Sequence, residues 1–198
     1  MVVTTAESGR RRPARERLLA AAARRFYADG VAATGIDTIT AEAGVAKMSL
    51  YNNFASKADL VRAYLDARHE EWLGLYRARL EGARTPRDGV LAVFDAYADH
   101  AASAYERGFR GCGLLNAAAE LPAGDAGRAV VRAHKEEVER LIAGHLRELL
   151  PERPDEARAT AEHLAFLLEG AMARAGLEGD GDRLRRARRL AADLLDRL

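Results

Sequence analysis

The stretch Lys47-Met48-Ser49-Leu50-Tyr51-Asn52-Asn53 combines a cation, hydroxyls and side-chain amides, and it contains no carboxylate. Wound into a helix, it turns Leu50 inward and presents Lys47, Met48, Ser49, Tyr51, Asn52 and Asn53 outward. Such a face, rich in hydrogen-bond donors and free of negative charge, suits phosphate oxygens and the edges of bases. For Tyr51 the competing use is a ring packed in a local core. Ring packing and a hydroxyl contact are compatible.

A face of this kind needs elements to hold it. A helix is expected from about Pro13 to Ala28, because Pro suits a first helical turn and Asp29-Gly30 is a stop. Thr34-Gly35-Ile36-Asp37 has a hydroxyl followed three positions later by a carboxylate, a capping pattern that would open a short helix. Gly44-Val45 ends that helix, and another follows over about Ala46 to Phe54. Two helices of about two turns joined by a Gly-containing turn form a helix-turn-helix. Neither is long enough to be stable alone. Ile36, Ile39, Val45, Leu50 and Phe54 supply its inner face, and Leu18, Leu19 and Phe26 of the first helix close it. Ser56-Lys57-Ala58-Asp59 then caps a long helix reaching about Glu81.

With these features placed, the segment Phe26 to Leu60, FYADGVAATGIDTITAEAGVAKMSLYNNFASKADL, resembles the TetR family of transcriptional regulators. The stop at Gly30, the AGV turn at 43–45, LYNNF at 50–54 and the SKADL helix start all fall at the family's spacing. The resemblance implies an all-α fold, with an N-terminal three-helix DNA-binding domain followed by a six-helix ligand-binding and dimerisation domain. It implies that Lys47 and Met48 face base edges, Lys47 donating to guanine and Met48 lying against a thymine methyl. Ser49 meets a base or phosphate, and Tyr51 and Asn53 hydrogen-bond phosphates. Lys57 adds its charge to the exposed N–H groups that open the fourth helix, and Thr34 or Thr38 serves the second helix similarly. The sequence departs from the family's common pattern at Ala46 (often Ser, so a cap is missing), at Met48 (often small), at Asn53 (often His) and at Gly35 (usually a hydroxyl). These departures bear on the operator sequence.

The domain boundaries follow: 1–12 a flexible basic arm, 13–56 the DNA-binding domain and 57–198 the remainder. In the arm, Arg10, Arg11 and Arg12 are either a solvated tail or a minor-groove probe. Thr85-Pro86-Arg87-Asp88 opens a fifth helix running to about Glu106. Four more are expected, over about 114–121, 125–149, 155–177 and 182–198, with no strand. Of the 31 cations in the chain, 28 are Arg, a skew read as codon bias. Ala, Leu, Arg and Glu are strong helix formers and agree with this all-helical layout.

The six-helix part offers less. Its scarce aromatics and polar groups suggest a cavity lined by Trp72, Tyr76, Phe94, Tyr97, Phe109, Cys112, Asn116, His134, Phe166 and Glu169, with His100, Tyr105 and His163 as further candidates; a pocket of this composition is the usual small-molecule site. For each aromatic, ordinary core packing competes. The apolar stripes 164–175 and 184–198 fit either a capped core or, by the resemblance, a homodimer interface made by the last two helices. A dimer, its two subunits one helical turn apart, would read a near-palindromic double-stranded operator. Cys112 beside Arg110 is either a small buried residue or a redox-sensing thiol.

Several classes are set aside. No nucleophile elbow, phosphate loop or close carboxylate pair supports an enzyme, and no His or Cys pair at ligand spacing supports a metal; no cofactor is expected. No apolar run approaches the ~20 residues of a membrane span. Met1 to Arg17 is polar, and the single cysteine cannot form an internal disulfide, so a cytoplasmic location is expected. The net charge of +1 is an average. Residues 1–60 carry nine Lys/Arg against six Asp/Glu, whereas residues 61–198 carry 22 against 24. The expected function is a repressor released by a small apolar or amphipathic effector. The alternative is a regulator with no effector, or one that responds to redox through Cys112.

Overall fold

The computed structural model describes residues 13–103 and 105–198; the expectations for the 1–12 arm lie outside them. Among the described residues there are nine α-helices and no strand: α1 Ala14–Asp29, α2 Ile36–Ala43, α3 Lys47–Tyr51, α4 Lys57–Leu80, α5 Pro86–Ala101, α6 Gly113–Ala119, α7 Ala126–Leu149, α8 Pro154–Glu178 and α9 Asp182–Leu195.

The first three helices form a small unit around Leu18, Phe26, Ile39, Leu50 and Phe54, all buried. Its polar ties compensate for the shortness of α2 and α3. The Arg17 guanidinium donates at 3.0 Å to both Ala43 O and Gly44 O, satisfying carbonyls that the end of α2 leaves free. Gly44 closes α2 in the left-handed conformation, φ 61°, which a residue with a Cβ adopts only at a cost. Glu42 accepts from Arg24 Nε at 2.5 Å and also from Arg25, so α2 is pinned to α1.

Two local expectations are corrected here. The Thr34–Asp37 capping pattern does not cap α2. The N-cap is Gly35, with no side-chain bond. Thr34 is buried, and its hydroxyl donates to Gly30 O at 2.6 Å, since the α1–α2 turn folds it inward. α3 is also shorter than expected, because Asn52 to Phe54 leave the helix in a turn whose N–H groups bond back to Met48 O and Leu50 O. Ala46 does leave α3 without a side-chain cap.

α4 starts where Ser56 Oγ accepts from Asp59 N at 3.1 Å. It carries the chain from the small unit into the larger one, and the Phe26 and Tyr64 rings meet edge to face, with centroids 5.4 Å apart, at the joint. α5 is opened by a full capping box, Thr85 with Asp88. It is the central helix, with Val90, Leu91, Val93, Phe94, Ala96 and Tyr97 all buried among α4, α7 and α9. It stops at Ala101 rather than near Glu106. The chain beyond it, with Gly108 and Gly111 at φ 82°, forms a loop that lays Tyr105 flat on Tyr27 of α1, centroids 4.4 Å apart. α8 and α9 pack on each other and flank the bundle.

Candidate nucleic-acid interface and effector cavity

At α3 the polar face is exposed but already engaged. Lys47 Nζ lies 2.8 Å from Asp37 of α2. This hydrogen bond and the facing charge raise the lysine pKa above its ordinary value. Met48 is 69% exposed and Tyr51 47% exposed, so two large non-core side chains project from a helix of five residues. Asn52 and Thr38 are exposed, and Ser49 is half-buried. Asn53 turns its amide back on its own helix, Nδ2 donating to Ser49 O at 2.7 Å. Lys57 Nζ reaches Ala32 O at 3.5 Å, at the start of α4 beside the α1–α2 turn. Thr34 falls out of this face, because its hydroxyl is buried and spent on carbonyl oxygens.

A cavity of about 200 Å³ lies between α1 and the larger bundle. Its walls come from Ala23, Arg24, Tyr27 and Ala28 of α1, from Tyr64, Arg68, Glu71 and Trp72 of α4, and from Tyr97 and His100 of α5. Ser103, Tyr105 and Glu106 of the following loop, Cys112 to Leu114, His134 of α7 and Met172 of α8 complete it. Of the ten residues expected to line a pocket, Trp72, Tyr97, Cys112 and His134 do so.

The other six have different partners. Phe94 is buried in the core of α5. The Tyr76 hydroxyl pairs with His145 at 2.7 Å. Phe109 is buried, its ring against Tyr105. Asn116 donates to Arg110 O at 3.0 Å. Glu169 is bound to Lys135 Nζ at 2.8 Å and accepts from the Tyr97 hydroxyl at 3.4 Å, and it does not line the cavity. Phe166 is 67% exposed on the outer face of α8, where His163 is exposed as well. The lining that sequence missed is α1's own contribution, Tyr27 above all, and the α4 residues Tyr64, Arg68 and Glu71. The spacing Tyr64, Arg68, Trp72, one residue every four, was the available signal.

The interior is electrically distinct. Burial lowers His134 to about 3, helped by Lys135 and by His69, whose Nδ1 is 2.9 Å from the His134 Nδ1. Burial, then Arg68 and Lys135, lowers His100 to about 4. Both imidazoles are therefore neutral at pH 7, in a region where the nearby cations are felt. Burial works against the Lys135 charge, but Tyr97, Cys112 and Glu169 outweigh it and hold the ammonium above the ordinary lysine value. Its Nζ is 3.6 Å from Cys112 Sγ. Among the described residues no cluster of three His, Cys, Asp or Glu is arranged to hold a metal, and no helix is long and apolar enough to cross a membrane.

The cavity wall is also fastened to the small unit. Arg110 donates through one guanidinium nitrogen to Tyr27 O at 2.9 Å and Ala28 O at 2.7 Å, and its N–H meets the Tyr27 hydroxyl at 2.6 Å. The Tyr27 hydroxyl in turn donates to Gly111 O at 3.1 Å. Glu120 at the end of α6 accepts from Val31 N at 3.1 Å and Ala32 N at 2.7 Å. Gly30 takes φ 95° there, a backbone conformation that residues with a Cβ rarely adopt.

A helix-turn-helix carried on α1 and joined to a six-helix bundle with an internal cavity defines the class: a DNA-binding regulator. The comparisons place it within that class. Residues 18–64 match the family described as bacterial regulatory proteins, tetR family. The whole chain is similar to the solved structure of a TetR-family transcriptional regulator from Streptomyces coelicolor, with 33% identity and a TM-score of 0.82, covering 92% of this chain and 94% of that one. A TetR regulator from Chloroflexus aurantiacus is similar at 28% identity and a TM-score of 0.79, covering 92% and 94% of the two chains. The HTH-type transcriptional regulator TtgR of Pseudomonas putida is 44% identical over 64 residues, which span 32% of this chain and 30% of that protein. The chain belongs to the TetR family of transcriptional regulators, a DNA-binding helix-turn-helix family.

Proposed function

We propose that the protein is a repressor that binds a near-palindromic operator as a homodimer and leaves it when a small molecule fills the cavity. Residues 13–56 act as the reading head and 57–198 as the effector and dimerisation domain. Lys47, Met48, Ser49, Tyr51, Asn52 and Asn53 face the operator, with Thr38 and Lys57 at its phosphates. Lys47 exchanges Asp37 for a base edge on binding.

The observation that carries the effector reading is the shared wall. Tyr27 belongs to the helix that supports α2 and α3, yet it lines the cavity and is held by Arg110 and Gly111. A molecule entering between Tyr27, Tyr105 and α4 must displace groups that fix α1. Ligand affinity then differs between the two positions of the reading head, which is the thermodynamic condition for release.

The dimer reading rests on α8 and α9. Phe166, Leu177 and Leu190 are large apolar side chains left 67%, 86% and 39% exposed on these two helices. A second copy would cover them, and two heads would add their binding energies on paired half-sites. Selection of bound sequences from DNA flanking the protein's own gene tests the operator reading and should return a two-fold-related site. Phe166→Glu should give a monomer by light scattering, with operator affinity falling at least to that of one half-site. A monomeric wild-type protein with full operator affinity would sink the dimer. A thiol-responsive regulator is the second reading, favoured by Cys112 lining the cavity within 3.6 Å of the Lys135 ammonium. It predicts that mild peroxide releases DNA from wild type and not from Cys112→Ser.

A further inference from the structure

Among the described residues four buried side-chain polar atoms have no protein partner: Arg17 Nε, Tyr64 Oη, Arg68 Nε and Trp72 Nε1. The last three belong to residues that line the cavity. They also recur every four residues along α4, so they form one stripe about 12 Å long at 1.5 Å per residue. Each can donate a hydrogen bond, and a buried donor left unmade is costly. All three donors stand on residues of one cavity wall, and what they lack is acceptor oxygens.

The charge around the stripe narrows the choice. Glu71, the carboxylate nearest to Arg68, is committed to that guanidinium at 2.5 Å through a different nitrogen, leaving Nε open. The cations Arg68 and Lys135 act on the buried histidines His100 and His134, which stay neutral. Of the two carboxylates in the lining, Glu71 is thus held by Arg68 and Glu106 faces Arg25 at 3.7 Å, so the donors of the α4 stripe have no carboxylate partner of their own. Aromatic rings supply much of the remaining surface: Trp72 meets Tyr97 at 5.4 Å between centroids, and Tyr27 stacks on Tyr105 at 4.4 Å. An apolar cavity of about 150 Å³ takes a benzene-sized guest; the volume of about 200 Å³ here suits one or two fused rings with a substituent.

We infer that the effector is an aromatic acid, a flat ring system bearing one carboxylate that Arg68 Nε and one neighbouring donor of the α4 stripe receive. This rests on the cavity being the effector site. The ring lies among Trp72, Tyr97 and Tyr105, and the carboxylate oxygens take Arg68 Nε together with a neighbouring donor. Binding would satisfy two of these donors, so the acid stabilises one arrangement of α4 against α1.

The test uses the full-length protein with 2-naphthoate, its neutral amide 2-naphthamide, 2-methylnaphthalene and 2-naphthylmethylammonium. Trp72 is the only tryptophan in the chain, so its fluorescence reports cavity occupancy, and calorimetry gives affinity. The acid should bind about tenfold or more tighter than the hydrocarbon, as expected for charge-assisted hydrogen bonds, and the ammonium compound most weakly. Arg68→Gln should remove that preference for the acid and leave hydrocarbon binding unchanged. Tyr64→Phe separates binding from folding: loss of an unpaired buried hydroxyl should raise the melting temperature of the free protein while lowering the affinity for the acid. If the hydrocarbon or the ammonium compound binds as tightly as the acid and releases operator DNA, the acid assignment is overturned and the effector site stands. If none of the four perturbs Trp72, the acid assignment falls; if naphthoate fills the cavity and DNA stays bound, the effector reading falls while the acid preference stands.

Discussion

On α3 the polar groups are exposed and provisionally paired, Lys47 with Asp37 and the Asn53 amide with Ser49 O. In the cavity they are buried and unpaired, as Tyr64, Arg68 and Trp72 show. Both arrangements leave hydrogen-bonding capacity for a partner, at different cost. Exposed groups can be held in reserve by water and weak ion pairs, so the proposed DNA face loses little when free. Buried orphans weaken the free protein, and a ligand that satisfies them recovers that loss. The first arrangement favours specificity on a surface. The second couples occupancy to the stability of the fold around it.

The largest expected effect separates the two regions. Leu50 is fully buried at the centre of the small unit, where α2 and α3 have little stability of their own. Leu50→Ala should cost about 2–5 kcal/mol and abolish operator binding. Aromatic ligands should still quench Trp72, because the cavity's inner wall of α4, α5 and α7 does not contain Leu50. If quenching disappears with DNA binding, the two regions form one cooperative unit and the comparison fails.

Acid should act on the cavity region. His134 and His100 are held at about 3 and 4 against an ordinary 6.5, mainly by burial. Between those values the unfolded chain binds protons that the folded one refuses, so stability rises with pH. The contribution is complete above about pH 6.5 and is lost as pH falls toward the folded values. By pH 5 each histidine should remove about 2 kcal/mol. Denaturant titrations at pH 7.5 and pH 5 check this, and His134→Gln should flatten the difference by about half. The neighbours Lys135, Arg68 and His69 are retained in that variant, so an unchanged slope would place the proton uptake elsewhere.

These two regions were unequally legible in the sequence. The proposed DNA face is contiguous, so Lys47 to Asn53 could be put forward from seven consecutive positions, of which Lys47 to Tyr51 form α3. Capping chemistry located the starts of α4 and α5 through Ser56 and Thr85 for the same reason. Thr34 failed because a hydroxyl before a helix has two options, and here the α1–α2 turn places Gly30 O at 2.6 Å. The cavity is built from positions as far apart as Ala23 and Met172. No local rule says which aromatic faces inward, so Phe94 and Phe166 were indistinguishable from Trp72 and Tyr97. The α4 stripe alone had a local signature, the four-residue recurrence of Tyr64, Arg68 and Trp72.

Within the DNA face, Lys47→Ala should reduce binding to the preferred base pair by about 10- to 100-fold while leaving other positions in the operator unchanged. A uniform loss over every DNA tested would make Lys47 a phosphate contact.

The smallest expected effect probes the reserve pairing itself. Asp37 is 80% exposed and holds Lys47 at 2.8 Å in the free protein, so a base can take the ammonium only after that pair opens. The same carboxylate stands in the first turn of α2, where it also repels phosphate. Asp37→Asn removes both obstacles and keeps the side chain's size. An exposed pair contributes little, typically under about 1 kcal/mol, so operator affinity should rise only about two- to fivefold and stability should barely move. The gain should shrink at high salt, because the term removed is electrostatic. It should also vanish in the Lys47→Ala background apart from the phosphate repulsion, which a double-mutant cycle isolates. If Asp37→Asn weakens binding instead, Asp37 is positioning Lys47 for its base rather than holding it in reserve, and the exposed face is preorganised in the way the cavity is not.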